Sequence, residues 1–152
     1  VQTGVRTFEA AAFLKRSGAD VTRVRKMFRE DATDYLAKAE AIHNAEIYEN
    51  YYAISECDSA NTASPTLVCA QAANDLLNIK GIKASFVLTL YNDVIYISAR
   101  SMDEVNVQTI MEKLGGGGHR SVAGAQIKEG SIEDAKNLVK KVLKELIERG
   151  EI

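Results

Sequence analysis

The residues best suited to chemistry in this chain are the run Gly115-Gly116-Gly117-Gly118-His119-Arg120. Four glycines in succession remove every Cβ from a short stretch, so its backbone can adopt φ > 0 and approach a ligand closely. Successive N–H groups in such a turn can form a concave nest for an anion, and His119 and Arg120 add side-chain donors. The combination points to phosphate or carboxylate binding. The plainer alternative is a helix C-cap followed by a flexible connector, although one glycine is enough for a cap. The run has no Lys-Ser/Thr after it and no spaced G-x-G-x-x-G, so it is neither a P-loop nor a dinucleotide turn. It must act through its own backbone, His119 and Arg120.

Arg100-Ser101 is the second pair of interest, at the end of an expected strand. A guanidinium offers a planar fork suited to phosphate, and a serine hydroxyl both donates and accepts. If that strand end lies beside the glycine run, Arg100, Ser101, His119 and the loop amides would surround one phosphate. The competing use of Arg100 is an ion pair with Asp103 or Glu104. His43 stands among alanines and acids on an expected helix and reads as a solvated or partly packed residue, not a catalytic one. Spacings that would hold a metal, such as H-E-x-x-H or C-x-x-C, are missing from the sequence. A nucleophilic pairing of Cys57 or Cys69 with His119 has no local support.

The elements that must position these groups follow from periodicity. Thr7 to Ser17 reads as a helix stopped by Gly18, and Asp20 as the N-cap of a second helix. A third helical stretch carries Tyr35, Leu36, Ala39 and Ile42 and is expected to reach about Glu49. Tyr51–Glu56 reads as a strand. Ser64-Pro65 opens a helix. Lys83–Leu90 and Val94–Ala99 read as a hairpin. Asn106 caps a helix that leads into the glycines, Val122–Lys128 is a strand, and Ser131 with Asp134 forms a capping box for a last amphipathic helix. The apolar stripe of that helix reads as core, with a dimerisation surface as the alternative.

This order predicts an α/β fold, a mixed β-sheet covered by helices and preceded by an all-helical N-terminal segment. Residues 1–50 are expected to be part of a neighbouring domain plus a linking helix, and residues 51–152 the α/β domain. A net charge of −2 argues against broad attraction to nucleic acid. Two cysteines imply no disulfide framework and fit a reducing compartment. Residues 1–30 hold seven Lys/Arg and three Asp/Glu, whereas 31–62 hold one Lys and seven acids, which reads as helix faces of opposite sign. The chain opens on Val rather than Met, as a piece cut from something longer would.

Ile97-Ser98-Ala99-Arg100-Ser101, Val105-Asn106-Val107, Gly115 to His119 and Ala123-Gly124 together resemble the DHH-associated domain of RecJ-like phosphoesterases. Thr3 to Ala11 and Lys83 to Val87 extend the likeness toward the membrane-bound cyclic di-AMP phosphodiesterases of that group. The resemblance implies that residues 1–50 contain the end of the catalytic DHH domain. That domain would hold two manganese ions and hydrolyse a phosphodiester, converting cyclic di-AMP to a linear dinucleotide. It implies substrate contacts at Arg100, Ser101, Gly116, Gly117, Gly118 and His119, and a cytoplasmic portion of a membrane-anchored bacterial parent. The DHH motif and its metal ligands do not occur in these residues, so the resemblance implies that this chain alone does not hydrolyse. A RecJ-like module for single-stranded nucleic acid or short oligonucleotides is the other implied function, and a homodimer a further expected partner.

Overall fold

The computed structural model describes residues 3–60, 62–102 and 104–152. The chain divides into two compact units, one ending at Asp31 and the other running Ala32–Ile152.

The first unit contains α1 (Val5–Arg16) and α2 (Val21–Met27). Gly18 at φ 96° breaks the first helix, and the Asp20 carboxylate starts the second by accepting from the Thr22 N–H at 2.8 Å. Neither helix has a buried residue. Phe8, Phe13, Met27 and Phe28 are all well exposed, so this unit has no core of its own.

The second unit is a six-stranded mixed sheet in the order β1-β2-β3-β4-β6-β5. Its strands are β1 (Glu46–Tyr48), β2 (Tyr52–Glu56), β3 (Ala84–Tyr91), β4 (Val94–Ser101), β5 (Gly117–Gly118) and β6 (Val122–Ile127). Only β2 and β3 pair in parallel, and α4 (Pro65–Leu76) makes the crossover between them. The hairpin between β3 and β4 turns on Asn92 and Asp93, both at positive φ, as a two-residue I′ turn demands.

Each face of the sheet has its own core. On one face, α5 (Val107–Lys113) and α6 (Ile132–Glu148) bury Ile110, Met111, Leu143 and Leu146 against Phe86, Leu88, Ile95 and Ile97. Most of the α6 stripe, Ala135, Val139, Val142, Leu143 and Leu146, is therefore core, while Leu138 is exposed. On the other face, α3 (Ala32–His43) and α4 pack small residues, Ala41, Cys69, Ala72 and Ala73, against Ala53 and Val87. Such small side chains let the helices lie close to the strands. Ser85 Oγ then donates to the Ala73 carbonyl of α4 at 2.6 Å, and Ser55 Oγ to the Ala41 carbonyl of α3.

One expectation differs from the structure. The third helix ends at His43 instead of reaching Glu49, because residues 46–48 leave it to pair with β2. Positive φ at Glu49 and Asn50 turns the chain back. The compact units divide after Asp31: α3 packs on α4, and β1 extends the sheet.

Candidate functional site

The four glycines are not interchangeable. Gly115 ends α5 in a Schellman motif: its N–H donates to Glu112 O at 3.1 Å, and the Gly116 N–H to Met111 O at 2.8 Å. That geometry holds Gly115 at φ 77°. Gly116 lies against β6, where a Cβ would run into the Gly124 carbonyl and come within 2.6 Å of Ala125 Cα. A Cβ on Gly118 would meet Ala123 Cα at 2.5 Å. Gly117 is different. It pairs with Gly124 in the ladder, yet a Cβ there would meet nothing within 4 Å.

The loop is accordingly an edge strand and not a flexible connector. The N–H groups of Gly115, Gly116 and His119 are already used inside the chain, the last donating to Val122 O at 2.7 Å. What the run offers a ligand is a bare strip of backbone, not a full nest of free amides.

Strand alternation decides which side chains meet there. Along β4, Ile95, Ile97, Ala99 and Ser101 face the α5–α6 core, while Tyr96, Ser98 and Arg100 face the opposite side. Arg100 is opposite Val122, and Val122 exchanges backbone bonds with His119, so the three form one row across the sheet. Ser98, Gly124 and Gly117 form the next row. Arg100 Nη1 donates to Ala99 O at 2.9 Å and to Ala123 O at 3.5 Å. Burial pulls its pKa down from the ordinary value, but an arginine stays protonated in a protein. Arg100 makes no ion pair among the described residues, and Asp103 lies outside them.

Ser101 is separated from this group. It is buried on the other face, where its Oγ donates to Val105 O at 2.6 Å and braces the turn into α5. The structure thus brings together Arg100, His119 and the glycine strip. It does not bring Ser101 to them, because adjacent residues of a strand point to opposite faces.

Near the start of α4 the Tyr96–Ser98 side of the sheet is partly uncovered. A cleft of about 460 Å³ opens there, lined by Thr66, Tyr96, Ser98, Gly116, Gln126 and Lys128 among others. Sequence reasoning missed most of these. Counting back by two from Arg100 gives Ser98 and Tyr96, and counting forward from Val122 gives Gly124, Gln126 and Lys128. Thr66 comes from a distant helix start and has no local signal.

Cys57, just after β2, and Cys69, on α4, are free and buried in the second core. The bond to the Cys57 sulfur, together with burial, pushes the Cys69 thiol far above its ordinary value. His119 is exposed at the sheet edge, so neither thiol is placed as a nucleophile beside it. Among the described residues no three His, Cys, Asp or Glu side chains are grouped to hold a metal ion. No described helix is long and apolar enough to cross a membrane.

A mixed sheet with one covered face, one half-open face and a glycine strand at its edge defines an α/β domain. The DHHA1 domain family matches residues 50–145, and the chain belongs to it. The cyclic-di-AMP phosphodiesterase PdeA of Listeria monocytogenes is 43% identical over 137 residues, 90% of this chain and 21% of that protein. The cyclic-di-AMP phosphodiesterase GdpP of Geobacillus thermodenitrificans is 40% identical over 151 residues, 99% of this chain and 23% of that protein. The chain therefore spans about a fifth of the length of these relatives. An exopolyphosphatase-related protein from Bacteroides fragilis shares the fold, with TM-score 0.81 over 95% of this chain and 44% of its own, at 19% identity.

Proposed function

We propose that this chain is the nucleotide-holding part of a longer manganese-dependent DHH phosphodiesterase that hydrolyses cyclic di-AMP to a linear dinucleotide. The family membership and the cyclic-di-AMP phosphodiesterase activity of the two relatives support this reading. The observation that carries it is Gly117. The fold explains the other three glycines, but a Cβ at Gly117 would meet nothing within 4 Å. A bare backbone on the face that also presents Arg100 suits a phosphate that must come close. In this reading Arg100 supplies the charge, His119 a further donor, and Gly116 and Gly118 hold the strip flat against β6. Ser101 acts indirectly by bracing the turn before α5.

The hydrolytic chemistry is assigned to the DHH domain of the longer protein, where manganese would activate water. This chain alone is expected to bind without hydrolysing. The exposed apolar residues of α1 and α2 suit a segment that completes a neighbouring domain. Calorimetric titration with cyclic di-AMP and with the linear dinucleotide pApA tests the reading: binding that Gly117→Val abolishes supports it. Tight binding of single-stranded oligonucleotide with a steep salt dependence would instead indicate a nucleic-acid module.

A further inference from the structure

We propose that the cleft between the start of α4 and strands β4 and β6 is an adenine-reading subsite, with Tyr96 stacking on the base and Gln126 pairing with its N6 and N7 edge. The inference rests on the nucleotide reading above and deepens it. The cleft volume of about 460 Å³ falls within the range of small-molecule sites, about 300–1,000 Å³. Ser98, Gly115, Gly116, Gly124 and Ala125 line it with small or absent side chains. Tyr96 and Gln126 stand directly opposite each other in the ladder, so a ring and an amide border one space.

Thr66, Tyr96, Ser98, Gln126 and Lys128 make no side-chain hydrogen bond or ion pair among the described residues. Five polar side chains that converge on one cleft without bonding each other are available to a ligand. A carboxamide matches the adjacent N6 donor and N7 acceptor of adenine, and a phenol ring offers any base a stacking platform. Position favours the same ligand. Tyr96, Ser98 and Arg100 share one strand face, and at ~3.4 Å per residue Ser98 lies about 7 Å and Tyr96 about 14 Å along the strand from Arg100. A nucleotide with its phosphate at Arg100 and the glycine strip would lay its base toward Tyr96.

The test is calorimetric titration of the whole chain with the linear dinucleotides pApA and pGpG. The wild type is expected to bind pApA about 10-fold more tightly, the scale of one bidentate base contact. Gln126→Leu is expected to remove that preference while pGpG affinity holds. Tyr96→Leu is expected to weaken both ligands alike. A preference that survives Gln126→Leu overturns the subsite, and so does unchanged affinity for both ligands in Tyr96→Leu. In either case, loss of binding in Gly117→Val leaves the phosphate reading standing. A wild type that binds neither dinucleotide overturns both. Gln126 is exposed, so its variant decides the matter should Tyr96→Leu fail to fold.

Discussion

Gly116 and Gly117 are neighbours with opposite demands. A methyl on Gly116 would press into the backbone of β6, so Gly116→Ala should destabilise the fold by about 1–3 kcal/mol, the usual cost of overpacking. A Cβ at Gly117 meets nothing within 4 Å, so Gly117→Val should shift stability by no more than about 0.5 kcal/mol. Urea denaturation of both variants checks the contrast. Arg100→Ala should weaken nucleotide binding by about 1–3 kcal/mol, the range for charge-assisted hydrogen bonds, and titration reads that directly. At this scale the sequence showed the glycine run and Arg100, because those residue types are informative alone. It did not separate Arg100 from Ser101 as the strand does. Nor did it distinguish the glycine that serves the helix end from the one the fold leaves open, since that depends on where β6 passes.

Among the elements, those with strong local signals were legible. The capping box of α6 is one: Ser131 Oγ accepts from the Asp134 N–H at 3.1 Å, and the Asp134 carboxylate accepts from the Ser131 N–H at 2.9 Å. Ser131→Ala should cost about 1 kcal/mol, measurable as a lower midpoint of thermal unfolding. Hydrogen bonds from the Ser131 hydroxyl and N–H hold the Asp134 carboxyl below its ordinary value. A carboxyl with a depressed folded pKa contributes stability above its unfolded value and loses it as pH falls through the folded one. The difference in unfolding midpoint between wild type and Asp134→Asn should therefore shrink on acidification; a constant difference would show that the carboxylate is not the stabilising form. Strand β1 was not legible. Glu46–Tyr48 follows a helical stretch, is three residues long, and becomes a strand only because β2 offers it an edge.

At the scale of the molecule, the alternation of strand and helix after residue 51 specified the mixed sheet, and the stripe of α6 specified one of its cores. The second core was harder to see. It is built from alanine, serine and cysteine, whose small size gives weak periodicity. The larger core holds most of the bulky side chains, so Leu143→Ala, at a fully buried position, should cost about 2–5 kcal/mol in chemical denaturation. The boundary after Asp31 was also hidden, since the helix that follows resembles its predecessors until its packing on α4 is known.

The proposed seat of a nucleotide phosphate is the bare backbone at Gly117, on the sheet face that carries Arg100. The most direct measurement is the calorimetric titration of wild type and Gly117→Val with pApA, with both melting midpoints recorded. The wild type is expected to bind, the variant not to bind, and the two to melt together. Equal affinity in both proteins, with equal melting, would contradict this assignment.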